Sequence, residues 1–104
     1  MNDTLERLVQ EYRQSFRQKA EDIQNAWQQA KNGRWRQETV TELISLIHKL
    51  AGSSGAYGIQ ELHDLTKKVN GQLKEIESIR HDEQALEALE TELDQLVRYL
   101  GTTH

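Results

Sequence analysis

The segment VTELISLIHKLAGSSGAYG, from Val40 to Gly58, reads as a helix with one face made for a core and another kept bare. At roughly 100° of rotation per residue, Val40, Leu43, Ile47, Leu50 and Ser54 fall within a sector about 60° wide, the stripe expected to face the core. His48 lies about 120° from the middle of that stripe. Within about 80° of it on the same surface fall Thr41, Ser45, Gly52 and Gly55, so the imidazole is ringed by hydroxyls and bare backbone. Glycine costs roughly 1 kcal/mol against alanine inside a helix. Gly52 and Gly55 therefore point to a purpose, which is to leave backbone open to a large partner that reaches the ring. Close approach of a neighbouring helix is a second use for the same two residues. A helical side chain leans toward its own N-terminus, so the His48 ring points away from the glycine side.

Outward from this segment the pattern stays helical. The chain has no proline and is rich in Leu, Glu, Gln, Lys, Arg and Ala, all good helix formers. Before it, Leu5, Leu8, Val9, Tyr12, Phe16, Ile23, Trp27 and Ala30 form an apolar stripe that ends near Asn32-Gly33, with Asp3 and Glu6 resembling a capping box. That stretch is long for one globular helix. The stripe thins between Arg17 and Ala20, so a bend is expected there, or a short cap helix followed by a bundle helix. The His48 helix is expected to start between Trp35 and Thr39 and to stop at a left-handed Gly58. A third helix carries Leu62, Leu65, Val69, Leu73, Ile76 and Ile79 and runs straight across Asn70-Gly71, because Gly71 faces away from the stripe. A fourth starts at Asp82 and carries Leu86, Leu89, Leu93, Leu96 and Leu100. Short connections make neighbours antiparallel. The expected fold is all-α, an antiparallel up-down four-helix bundle forming a single domain over residues 1–104.

Composition narrows the function. A net charge of −4 argues against a general nucleic-acid binder, which is more often basic. Cysteine is absent, which excludes disulfide and thiolate chemistry. No apolar run approaches the roughly 20 residues of a membrane span, and the start of the chain lacks a basic, then apolar, signal pattern, so a cytoplasmic location is expected. His63, His81 and His104 share no ligand spacing with His48, and no metal site is expected. No nucleotide loop is present, so no autonomous kinase activity is expected.

The run from His48 to Gly58, followed by Leu62, resembles the phosphorylation motif of histidine-containing phosphotransfer (HPt) domains, His-x-Leu-x-Gly-Ser-x-Gly-x-x-Gly on a bundle helix. The frame is similar as well, from the Leu-rich start through Gly33 and Trp35 to the last two amphipathic helices. The resemblance implies a relay in a multistep two-component pathway. His48 would be the phosphorylated nucleophile, taking a phosphoryl group from a receiver-domain aspartyl phosphate and passing it to another receiver, with a hybrid sensor histidine kinase as a further partner. Mg²⁺ would be supplied by the receiver, and the domain would carry no cofactor of its own. At the position 22 residues after the histidine, where the family often has a glutamine that orients the ring, stands Asn70. Where the family often has a lysine, three residues after the histidine, stands Ala51. Lys49, Lys67 and Lys68 are then the candidate sources of positive charge, with Gly52 and Gly55 supporting access. Docking is expected on Ile44, Ser45, Ala51, Gln60 and His63, together with Glu42, and a histidine that enters a receiver's cleft favours a monomer. Two other readings stand beside this one: a helical adaptor in which His48 is incidental, and a relative that keeps the bundle but has lost the relay.

Overall fold

The computed structural model describes residues 2–102 and contains six helices among them: α1 (Asn2–Gln14), α2 (Phe16–Asn32), α3 (Gln37–Ala56), α4 (Gln60–Leu73), α5 (Ile76–Ile79) and α6 (Glu83–Thr102). The pairing expected of Asp3 with Glu6 falls on a side chain outside the described residues, as does His104. Four helices form the bundle. α3 packs on α2 and α4, and α6 closes the ring against the same two. α3 and α6 are therefore diagonal, and one whole side of α3 is left to the surface. The directions alternate as expected: Tyr12 beside the start of α2 meets Tyr57 past the end of α3, Lys31 meets Glu90, and Phe16 meets Tyr99.

Phe16, Ile23, Leu43, Ile47, Leu62, Val69, Leu73, Leu89, Leu96 and Leu100 fill the core. The α3 stripe expected from the sequence, Val40 to Ser54, is buried along its length. Ser54 is tolerated there because its hydroxyl donates to the Ala51 carbonyl at 3.1 Å.

The first long segment bends by 37° between α1 and α2. The break falls at Ser15, earlier than the Arg17 to Ala20 interval where the stripe thins. The Ser15 hydroxyl donates back to the Tyr12 carbonyl and accepts from Lys19 Nζ at 2.7 Å, so the side chain competes with the helical ladder at that point. Beyond the bend α1 leaves the bundle, and Leu5 and Leu8 of the same stripe are 61% and 44% exposed.

The turn from α2 to α3 uses Gly33 for space. Its φ of −83° is ordinary, but a Cβ would sit 3.1 Å from the Gln29 carbonyl. The left-handed residues are Arg34 and Trp35, at φ 54° and 64°. Trp35 is held there by its amide donating to the Ala30 carbonyl at 2.8 Å and by edge contact with Trp27. At the other end of α3, Gly58 has φ +73°. Its amide donates to Gly55 and that of Ile59 to Ser54, the Schellman arrangement that satisfies the last carbonyls of a helix.

α4 crosses Asn70-Gly71 unbroken, as its stripe implies, but it stops at Leu73 and does not continue to Ile79. The steps from Leu73 to Ile76 to Ile79 are both three residues, and each turns an ideal helix about 60° away from the stripe. A turn at Lys74 and Glu75 re-aims the chain so that Ile76 stays buried. Asp82 caps α6 with its carboxylate accepting from the amides of Gln84 and Ala85.

Candidate functional site

His48 stands exposed at the middle of the uncovered side of α3, with Ser45, Lys49 and Gly52 exposed around it and Ile44 half-buried. The helix reaches this arrangement because its apolar residues are spent on the opposite stripe. Gly52 meets the first expectation for it: a Cβ there would have nothing within 4 Å, so the backbone is open.

Gly55 serves the other use. A Cβ at Gly55 would lie 3.1 Å from Nδ1 and 3.2 Å from Cε1 of His63, so this glycine seats the imidazole of α4 against α3. The half-buried His63 donates from Nδ1 to the Ala51 carbonyl at 2.8 Å. A carbonyl only accepts, so the proton of neutral His63 is on Nδ1. Ala51 itself is 8% exposed, and its expected place on the docking surface is corrected on that ground: its methyl is packed, and its carbonyl is engaged from two sides.

On α4, His63, Lys67 and Asn70 recur at four and three residues and share one face, whereas Lys68 lies about 140° round the helix from His63. Lys67 and Lys68 are both exposed, but only Lys67 is on the side that borders α3. Counting residue for residue along antiparallel helices from the His63 seat brings Lys67 level with His48 and Lys49, and Asn70 about one turn nearer the N-terminus of α3. That is the direction in which a side chain at position 48 leans. Asn70 Oδ1 is buried with no hydrogen-bond partner among the described residues. Gln60 is exposed at the start of α4 and donates to Asp64 at 2.7 Å.

The Hpt domain model matches residues 7–99. The chain belongs to the Hpt domain family. Hpt domains serve histidine phosphotransfer in phosphorelays and interact there with receiver domains. No curated protein and no solved structure matches the chain. Among the described residues, no helix of this Hpt domain is long and apolar enough to cross a membrane.

The α2 flank of the Hpt site has features that sequence reasoning did not find. A groove of about 450 Å³ lies beside Lys49, lined among others by Tyr12, Lys19, Leu46, Ser53 and Tyr57. Tyr12 stacks on Tyr57 with ring centroids 4.4 Å apart, and its hydroxyl bonds the Ser53 hydroxyl. Burial pushes the Tyr12 phenol above its ordinary range, more than the Ser53 bond lowers it, with Tyr57 adding a smaller upward effect. Lys19 Nζ sits 5.2 Å from the centre of the Tyr12 ring. The Tyr12 to Ser53 contact joins residues 41 apart in the chain, and no periodicity within one helix reveals it.

Proposed function

We propose that this domain is a phosphohistidine intermediate between receiver domains, with His48 as the group that is phosphorylated. The observation that carries this reading is the exposed imidazole at the centre of an open helical face, beside a glycine with free space above it, in a chain of the Hpt family. Neutral His48 attacks phosphorus through Nε2. A bond from nitrogen to phosphorus forms as the bond from phosphorus to the aspartyl oxygen breaks, and the receiver's carboxylate leaves with the electron pair. The reverse sequence passes the group to a second receiver. Phosphoryl transfer of this kind depends chiefly on in-line placement and charge stabilisation. The receiver contributes its acidic pocket and Mg²⁺, and the domain contributes the nucleophile and a docking surface of Ile44, Ser45, Gln60 and His63.

Asn70 has a stated part in this reading. Its buried Oδ1, which has no partner among the described residues, is free to accept from Nδ1–H of His48 once the ring turns toward it, a bond that would fix the tautomer and stabilise the charge that the ring gains on phosphorylation. Lys67 and Lys49 supply positive charge on either side of the transferred group. Lys68 has no place in it.

The test is a three-component relay. A receiver labelled on aspartate is mixed with the domain and a second, unlabelled receiver, with His48→Gln as control. Label is expected to cross to the second receiver only through the wild-type domain. If the folded domain binds both receivers and passes no label, the adaptor reading replaces this one; the exposed Leu5 and Leu8 on α1 are the feature that favours it.

A further inference from the structure

The half of α3 that follows His48 is the least helical part of the bundle by composition, since Gly52, Ser53, Ser54 and Gly55 follow one another. Glycine and serine each weaken a helix interior, glycine by backbone freedom and serine by bonding its own backbone. This stretch nevertheless holds α-helical geometry to Ala56. The amide of Gly52 closes the helical turn on the carbonyl of His48, so any opening of the stretch moves His48 with it.

Two hydrogen bonds from other helices hold it, one from each side. From α4, His63 Nδ1 donates to the Ala51 carbonyl at 2.8 Å, and the same carbonyl accepts from the Ser54 hydroxyl at 3.1 Å. From α1, the Tyr12 hydroxyl bonds Ser53, whose own hydroxyl donates to the Leu50 carbonyl at 3.3 Å, so Tyr12 is the donor to Ser53. The carbonyl two residues past His48 is thus tied through Ser53 to Tyr12, and the one three residues past it is tied directly to His63, with Ser54 as a second donor. Gly55 is part of the same device, because a Cβ there would stand 3.1 Å from His63 Nδ1 and push the ring outward from its seat.

We infer that His63 and Tyr12 are positioning residues for the phosphotransfer site: they brace the glycine-rich turn from opposite sides and so fix the place of His48. This rests on the phosphotransfer reading of His48. It gives His63 a role within the domain besides its surface one, and it assigns one to Tyr12, which the sequence places only in the apolar stripe of the first segment.

The test compares His63→Leu, which keeps bulk and removes the donor, with His63→Asn, whose Nδ2 stands the same number of bonds from Cα as Nδ1 of histidine. Amide exchange in residues 52–56 and the kinetics of transfer from a phosphorylated receiver are measured on both and on Tyr12→Phe. The Leu and Phe variants are expected to exchange those amides roughly fivefold faster, the equivalent of one lost hydrogen bond. Both are expected to lower kcat for transfer; KM for the receiver stays unchanged in Tyr12→Phe, which lies off the docking surface, and His63→Asn is expected to restore kcat relative to His63→Leu. Gly55→Ala is expected to lower Tm in the wild type and to raise it in a His63→Ala background, where the seat is empty. An unchanged kcat in both variants would leave His63 a docking residue alone and overturn the inference, as would unchanged exchange in residues 52–56. If His48 takes no phosphoryl group even in the wild type, the phosphotransfer reading fails while exchange still decides whether the brace exists.

Discussion

Three glycines around one helix end do three different things, and their alanine variants separate them. Gly58 is needed for its φ of +73°, which a side chain adopts at a cost of about 1–2 kcal/mol. Gly58→Ala should lower Tm by several degrees, roughly 4–8 °C for each kcal/mol in a domain of this size, measured by thermal unfolding. Gly52 has open space and ordinary helical backbone, so Gly52→Ala should stabilise the free domain by about 0.5–1 kcal/mol and yet slow transfer, because the methyl stands where a receiver approaches. Faster or unchanged transfer in that variant would show that the bare backbone is not used. The sequence makes both glycines after His48 conspicuous without distinguishing them, since what lies above Gly55 is a side chain from α4. At Tyr12 the folded state favours the neutral phenol, so the pKa is raised on folding. The linked stability is fully present below the unfolded value near 10 and is lost as pH rises through the higher folded value. Tyr12→Phe should remove that alkaline loss, which denaturant titrations above and below pH 10 detect.

At the scale of elements, what was legible was periodicity. The stripes of α3 and α6, the crossing of Asn70-Gly71, the left-handed stop at Gly58 and the cap at Asp82 all follow from spacing and end chemistry within one segment. The bend at Ser15 was expected a little further along and the break at Lys74 was not expected at all, because each is set by competition between a local side chain or register and packing on another helix. The bend also divides one apolar stripe into parts of unequal worth. Phe16→Ala, in the sealed core, should cost about 3–5 kcal/mol, whereas Leu5→Ala on the overhanging α1 should change stability by no more than about 0.5 kcal/mol. Chemical denaturation of the two variants checks the contrast, and a large loss for Leu5→Ala would mean that α1 is packed in solution.

For the whole molecule, the order of helices around the ring explains why a site exists on α3. Flanked by α2 and α4 and diagonal to α6, α3 keeps one side uncovered, and both neighbours bring side chains to its edge: Tyr12 and Lys19 from the α1–α2 arm, His63 and Lys67 from α4. The motif around His48 pointed to the family from sequence and made His48 the candidate nucleophile, while the side chains proposed to brace it depend on contacts between distant segments and became visible only in the fold. The central claim is that the phosphoryl group resides on His48. The most direct measurement is to load the domain from an aspartyl-phosphorylated receiver and map the modified residue by mass spectrometry under alkaline conditions. Phosphate on His48, labile in acid and stable in base, with none on His48→Gln, is the predicted result. Phosphate on another residue, or a domain that binds the receiver and remains unmodified, would contradict it.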